Sequence, residues 1–248
     1  PVPVTSDAGI RIGRQMSGRP MDCPGGNPLR VGLEAAKANR IPLAVLWSLA
    51  TALVLGYYFV PGVAAALEPL RRFQVEGGWF AAFLNRFFFC SVLPGVFVFL
   101  VSAIRPRRPL LTMLVQSVWC GGWGIVCCWF YGFQCWLFGD GIDFVTLLEK
   151  TAVNQFLWTP ICIAPVNSVF FFWLGRDMSL ARTRREWPRH FIRDVYLPNL
   201  LSNWFVWVPM FFVIYAFPLP LQVQLSGIAG CVWSLVCIRV GALSRDRG

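Results

Sequence analysis

The sequence predicts an all-α protein: a polytopic membrane bundle of about six transmembrane helices, with both termini on the same, positively charged inner side. Of its 248 residues, 56% are hydrophobic and only 14% are charged, whereas about a quarter of the residues in a soluble domain are charged. Five long apolar runs and one shorter run alternate with polar connectors. No stretch outside these runs is long enough to form a soluble domain.

The chain before the first apolar run is expected to be a mobile basic tail. Residues 1–40 carry Pro, Gly, Ser and scattered Arg without periodicity, a composition typical of disordered segments. Within this tail, residues 29–40 have an amphipathic pattern that fits a short helix in the membrane interface. We expect the transmembrane domain to cover residues 41–240 and a second basic tail to cover residues 241–248.

The length of the first predicted span fits the ~20 apolar residues that an α-helix needs to cross a bilayer. Pro61 is expected to bend the first span. The fourth span, with Pro160 and Pro165, is expected to be either a tilted, kinked helix or a shorter helix with an interfacial start. A polar connector, residues 68–78, separates the first two spans, and a short FPLPL turn joins the last two as a hairpin. The predicted spans are residues 41–67, 79–104, 110–138, 144–175, 195–217 and 219–240.

Small residues in two spans predict close contacts between helices. The third span carries Gly121, Gly122 and Gly124, and the sixth carries Ser226 and Gly230 four residues apart. Glycine and serine let helix backbones approach closely within a membrane. We therefore expect these positions to face neighbouring helices.

The basic residues support this topology. With the N-terminal tail placed inside, the segments on that side hold 18 of the 22 Lys and Arg residues. Only Arg71 and Arg72 fall outside, and Arg86 and Lys150 remain within or near the membrane. This asymmetry follows the positive-inside rule and accounts for the net charge of +10 without a nucleic-acid partner. The expected partner is a lipid bilayer, either a bacterial cytoplasmic membrane or, in a eukaryote, an inner membrane of an organelle.

The sequence lacks the usual signatures of an enzyme or a metal site. His190 is the only histidine, and the 9 cysteines include no pair with the spacing of a zinc site. Glycine-rich phosphate-binding motifs and paired intramembrane aspartates are also absent. We therefore expect no catalytic residue, no metal and no cofactor, and we interpret the cysteines as small packing residues.

Polar residues inside or beside the apolar runs are candidates for a pore lining or another polar face. A charge such as Arg86 within a span costs about 2.5–3.5 kcal/mol to insert. Arg86 therefore either lines a polar cavity or binds an anion, or it lies near the interface and extends to water. Lys150 and Asn154 share a helix face beside Gln155. They form either an ordinary interfacial helix start or a pore mouth.

Two further amides, Asn199 and Asn203, are one helical turn apart at the start of the fifth span. They therefore share a helix face, next to Trp204 and Trp207. They lie on the predicted inner side, whereas the cluster around Lys150 lies on the outer side. The two groups are not expected to need contact.

Three blocks of residues between positions 115 and 240 follow one another at a recognisable spacing. They are Gly124 and Tyr131; then Lys150, Asn154, Gln155 and Pro160; then Pro198, Asn203, Trp204, Trp207, Pro209 and Trp233. These blocks resemble a family of small integral membrane proteins, typified by the twenty-two-kilodalton peroxisomal membrane protein and the inner mitochondrial membrane protein Mpv-seventeen. Two polar positions of the family pattern are Phe211 and Ile214 in this chain.

The resemblance implies a multi-span membrane protein of an organelle or a bacterium. A weakly selective pore is proposed for some family members, so it implies a weakly selective channel for small solutes or ions. The alternative is a structural or partner-binding membrane protein without a pore, whose amides hold helices together at about 0.6–2 kcal/mol each. Assembly into a homo-oligomer is left open in both cases.

Overall fold

The computed structural model describes residues 40–101 and 108–245. Helices account for nearly all of this part of the chain, and no strand occurs in it, so the predicted all-α bundle is confirmed. The predicted mobile tail and interfacial helix lie outside the described residues up to residue 39. The same holds for Arg105 and Arg107 of the second connector and for the last three residues of the C-terminal tail.

The described chain forms α-helices joined in three places by π-helical segments. The α-helices are α1 Arg40–Phe59, α2 Pro61–Phe87, α3 Leu93–Val101, α4 Pro109–Phe138, α5 Phe144–Ala152, α6 Ala164–Leu174, α7 Leu180–Arg185, α8 Leu197–Ile214 and α9 Leu219–Arg245. The π-helical segments are Phe88–Val92, Val153–Ile163 and Ile192–Tyr196. The first two connect α2 to α3 and α5 to α6, and the third leads into α8.

Four helical stretches, the first of them bent at Gly78, are long and apolar enough to cross a membrane. The first and sixth predicted spans are also helical, with shorter apolar parts. Only 22–33% of the residues in the four apolar windows are buried, so most of this apolar surface faces outward and needs a bilayer around it. The chain is therefore a multi-pass membrane protein. The four stretches are Pro61–Phe97, Pro109–Phe138, Phe144–Leu174 and Ile192–Ile214, and the shorter parts are Ala44–Phe59 and Leu219–Val232.

The region between the first two predicted spans differs from the prediction. α1 ends at Phe59, and Pro61 begins α2 instead of bending one span over residues 41–67. Proline is well suited to the first turn of a helix, where its missing N–H is not needed. The expected connector, residues 68–78, is therefore helical up to Gly78, where the chain turns into the second span. Its φ of 49° is a conformation that glycine adopts readily.

The part of α2 before Gly78 is an amphipathic helix at the outer end of the bundle. Glu68 pairs with Arg71 and Arg72 at N–O distances of 2.6 and 2.9 Å. Leu67 and Leu70 pack instead against the hairpin between α8 and α9. The charges that predicted a connector thus form one face of a helix.

Successive spans alternate in direction, and the outer connectors meet at one end of the bundle. Near the end of α1, the Tyr58 hydroxyl donates to the carbonyl oxygen of Ala216, just after α8, at 2.6 Å. At the start of α5, the ring of Phe144 lies 5.6 Å from the ring of Phe212 near the end of α8. The ends of α1 and α8 and the start of α5 therefore share one side, as the alternating topology requires.

Two of the three glycines predicted to mediate packing in the third span do so. A Cβ atom at Gly124 would lie 2.2 Å from the backbone oxygen of Ala82, and one at Gly121 would lie 2.5 Å from the Phe83 ring. Gly122 has no neighbouring atom within 4 Å, so its predicted packing role is wrong. α2 and α4 therefore approach backbone to backbone along a single face of α4.

The sixth span meets the second through its small residues, as predicted. A Cβ atom at Gly230 would lie 3.1 Å from the Cys90 sulfur, and one at Gly227 would lie 1.7 Å from the Asn85 side-chain oxygen. Ser226 is fully buried on the same side of α9. This stretch of small residues is where polar side chains of α2 reach α9.

The fourth span is one continuous helical rod whose register widens at its centre. Pro160 lies within the π-helical segment, and Pro165 lies in the first turn of α6. Each amide of a π-helix donates to the carbonyl five residues back, as Ala164 does to Thr159. Because proline has no N–H, the carbonyl oxygens of Gln155 and Pro160 lose the donors that this register would supply.

Aromatic side chains from the fifth span occupy both of these carbonyl oxygens. The Trp204 indole nitrogen donates to the Gln155 carbonyl at 2.7 Å, and the Tyr196 hydroxyl donates to the Pro160 carbonyl at 2.9 Å. Backbone groups inside a membrane must find partners within the protein. Each proline of the fourth span is thus compensated by one donor from the fifth.

Candidate functional site

Arg86 points into the bundle from the second turn after the Gly78 bend. Its Nη2 donates to the Ser226 hydroxyl at 2.9 Å, and that hydroxyl donates to the Val223 carbonyl of its own helix at 2.8 Å. The Nε atom of Arg86 is buried without a hydrogen-bond partner. The side chain therefore extends towards the sixth span, which favours the inward-facing alternative over an arginine that reaches interfacial water.

The neighbours of the Arg86 guanidinium are hydroxyl and thiol groups. Tyr131, only 1% exposed, places its hydroxyl beside Arg86 and Ser226, outside good hydrogen-bond geometry. Within the described residues, no ion pair joins Arg86 to a carboxylate. The nearest thiols are those of Cys127, Cys90 and Cys120.

A chain of three buried amides lies next to Arg86. The Asn85 side-chain nitrogen donates to the Gln224 side-chain oxygen at 2.7 Å. The Gln224 nitrogen in turn donates to the Gln74 oxygen at 2.6 Å. Because Gln74 precedes the Gly78 bend, this chain ties the amphipathic outer helix to both the second and the sixth spans.

A second buried group of polar residues centres on Asn154 in the π-helical segment. Its side-chain nitrogen donates to the Tyr215 hydroxyl at the end of the fifth span. Its side-chain oxygen accepts from Gln155 at 3.2 Å and from the Thr159 hydroxyl at 3.3 Å. Asn154 and Gln155 are each 1% exposed, so both predicted amides belong to the interior of the bundle.

Lys150 is also buried, at 1% exposure, and does not lie on the surface. Its Nζ atom lies 3.5 Å from the Cys135 sulfur, which in turn lies beside the Asp140 carboxylate of the outer connector. The Lys150 backbone oxygen accepts from the Gln134 side chain at 2.8 Å. An ordinary exposed helix start therefore does not describe Lys150, although its neighbour Glu149 is exposed.

The two polar groups meet at a pair of tyrosines in the core. The rings of Tyr131, beside Arg86, and Tyr215, bonded to Asn154, are 5.6 Å apart and nearly perpendicular. Polar side chains thus follow one another from the outer end of the second span to the middle of the fourth. We call this set the polar column: Gln74, Asn85, Arg86, Tyr131, Asn154, Gln155, Thr159, Tyr215, Gln224 and Ser226.

The structure places Asn199 and Asn203 apart from the polar column. The Asn199 side chain donates to the Ser168 hydroxyl at 3.5 Å, which joins the fifth span to the inner half of the fourth. Asn203 is partly buried, and its side-chain oxygen has no hydrogen-bond partner among the described residues. Three of the six predicted polar positions, Arg86, Asn154 and Gln155, belong to the polar column. Lys150 lies outside it, four residues before Asn154 in the fourth span.

The positions that carry the family resemblance occupy contacts between helices. Pro198 lies buried in the first turn of α8, and Pro209 lies inside the same helix. The Trp207 ring lies 5.5 Å from the Phe211 ring and close to Gly230. The side chain of Trp233 lies outside the described residues.

Sequence reasoning missed several members of the site. Gln74 lies in the predicted connector between the first two spans, and Tyr215 lies in the apolar run of the fifth span. Gln222 and Gln224 lie in the first turns of the sixth span at 2% and 1% exposure. A usable signal existed, because Gln224 and Ser226 interrupt a long apolar run just as Asn85 and Arg86 do.

The inner connector begins with a buried arginine. Arg176, 2% exposed, lies over the Phe172 ring at 3.3 Å and donates to the Phe172 carbonyl at 2.9 Å. Burial lowers the pKa of Arg176, and the nearby Glu186 carboxylate opposes that change. This residue fixes the end of the fourth span and is not a member of the polar column.

Among the described residues, no group of three His, Cys, Asp or Glu side chains is arranged to hold a metal ion. Comparison of the chain with protein-family models, with curated proteins and with solved structures found no match.

Proposed function

We propose that this membrane protein is a weakly selective channel for small solutes or ions and that the polar column lines its pathway. The observation that carries the proposal is a succession of polar side chains inside an otherwise apolar bundle, from the outer end of the second span to the middle of the fourth. It includes the partly buried Arg86. Polar and ionisable residues within membrane spans are costly, and they commonly mark the route of a solute. In the described state the side chains fill the column, so conduction requires that water replace some of their mutual hydrogen bonds.

Purified protein in planar bilayers tests this proposal. The wild type should show discrete conductance steps, and Asn154→Leu and Arg86→Gln should change their size or frequency. Asn167→Leu is a matched control, because Asn167 accepts from the Trp119 indole at 2.8 Å but lies outside the polar column. Folded, monodisperse protein that gives no current would contradict the channel.

One observation favours the alternative, a structural or partner-binding membrane protein without a pore. Asn85, Gln224 and Gln74 bond to one another, and Asn154 bonds to Tyr215, as expected of residues that hold helices together. In that case Asn154→Leu would lower the unfolding temperature, and no variant would alter solute flux. Thermal unfolding measured beside bilayer currents separates the two functions.

We also propose a distant relationship to the Mpv-seventeen group, and with it a bacterial cytoplasmic membrane or an organelle membrane as the location. The support is physical: Gln155 and Pro160 of one family block and Trp204 of another depend on each other through a single hydrogen bond. A chain that keeps this proline gains from keeping the tryptophan. Replacement of Pro160 and Trp204 together should therefore lower the unfolding temperature less than replacement of Trp204 alone, which thermal unfolding can measure.

A further inference from the structure

We propose that the surroundings of the Arg86 guanidinium form a binding site for a small inorganic anion such as chloride. The inference rests on the proposed function, because it names the class of solute that the polar column would pass. It also rests on a positive charge and a set of hydrogen-bond donors. Binding measurements can test these independently of any conductance.

The site holds a positive charge that the described part of the chain does not neutralise. Arginine stays protonated in proteins, and no carboxylate of the described residues pairs with Arg86. Its Nε–H is buried and has no acceptor. Arg86 is partly buried, and a charge held away from water without a counter-ion is unfavourable. A bound anion would reduce that cost.

The unused hydrogen-bonding capacity around Arg86 is mainly that of donors. The Tyr131 hydroxyl lies buried beside Arg86 and Ser226 without a hydrogen bond of good geometry, so a small rotation would let it donate to an anion. Ser226 accepts from Arg86 and donates to its own helix. Thiols are weak donors. Three of them lie near the guanidinium, and the Cys90 thiol already donates to the Gly227 carbonyl at 3.7 Å. The three belong to Cys127, Cys90 and Cys120.

The nearest unpaired acceptor lies against another part of the bundle. The Asn85 side-chain oxygen has no hydrogen-bond partner, but it abuts the backbone of Gly227, 1.7 Å from where a Cβ atom would stand. It therefore faces α9. Packing also limits the size of the ligand, since a Cβ atom at Gly124 would lie 3.1 Å from Cγ of Arg86. Both features favour a small anion over an organic one.

The first test measures thermal unfolding of the purified full chain in detergent, with potassium chloride compared with potassium gluconate at equal ionic strength. Ligand binding to the folded state raises the unfolding temperature, by about 2–4 °C at concentrations well above the dissociation constant. We expect this rise in the wild type and in Arg86→Lys, and its loss in Arg86→Gln. Arg108→Gln, which removes an exposed charge at the inner end of the bundle, is the control and should keep it.

The second test measures the permeability ratio of chloride to potassium in planar bilayers. We expect the ratio to exceed one in the wild type and to fall by about tenfold in Arg86→Gln, since a buried charge concentrates counter-ions. A chloride-dependent rise without current would refute the channel and keep the anion site. Current without a chloride effect in either test would overturn the site. Stabilisation of the protein by phosphatidylglycerol but not by chloride would also overturn it. If Arg86→Gln does not fold, Tyr131→Phe must weaken the wild-type chloride effect.

Discussion

At the scale of single residues, two cations lie inside the apolar runs, the partly buried Arg86 and the buried Lys150. A charge inside an apolar run is visible in the sequence, so both Arg86 and Lys150 were identified as unusual. Their directions depend on side chains far along the chain. Arg86 reaches Ser226, 140 residues later, and Lys150 lies against Cys135. Sequence could predict the presence of these charges, and only the packing of helices decides whether they face lipid, water or each other.

Glycines of the third span offer a residue-scale prediction with an internal control. Gly124→Ala should destabilise the protein by about 1–3 kcal/mol, because the new Cβ would clash with the Ala82 backbone oxygen and force the helices apart. Gly122→Ala meets nothing within 4 Å and should be neutral or slightly stabilising, since alanine favours helices. Thermal unfolding of both variants in detergent measures the difference. Equal effects would show that α2 and α4 do not approach as closely as described.

At the scale of elements, the fourth and fifth spans depend on each other through the prolines. The helical structure continues through Pro160 and Pro165, with a π-helical register at the first of them. The π-helical register was not predictable, because it is stabilised by donors 36 and 49 residues away in sequence. The sequence shows the proline, but it does not show which side chain donates a hydrogen bond to the carbonyl oxygen that the proline leaves free.

Removal of one donor tests this dependence. Trp204→Phe should lower the free energy of unfolding by about 1–3 kcal/mol, because the Gln155 carbonyl is left buried without a donor. Tyr196→Phe, which deletes only the hydroxyl on the Pro160 carbonyl, should act in the same direction and by less, since it leaves the aromatic ring in place. The control is Trp136→Phe, at a side chain that is 78% exposed. If all three variants unfold alike, the prolines do not need these donors.

At the scale of the whole molecule, hydropathy and charge predicted the architecture and missed one boundary. Apolar runs of sufficient length predict helices across a bilayer because the backbone must satisfy itself there. The error fell at residues 68–78, where charges lie on one side of an amphipathic helix that packs on the hairpin between α8 and α9. A polar stretch can be a connector or such a helix, and only its packing partner distinguishes them.

The polar column is also a whole-molecule feature. Its members come from the amphipathic outer helix and from the second to the sixth spans. Most of their contacts join residues more than 60 positions apart. Sequence marked three of its ten members as candidates, because only those combined a polar side chain with a suggestive neighbour. The others required the antiparallel arrangement that brings Tyr131 to Tyr215 and Gln224 to Gln74.

The central claim is that water and small solutes reach the polar column. Cysteine labelling tests it most directly, in a background with the native cysteines replaced and the fold verified. Single cysteines at Asn154 and Gln224 should react with a small charged thiol reagent about tenfold faster than a cysteine at Ile161, which is 65% exposed towards lipid, because thiolates form in water. Column positions as unreactive as Ile161 would contradict a solute pathway and leave these residues as contacts between helices.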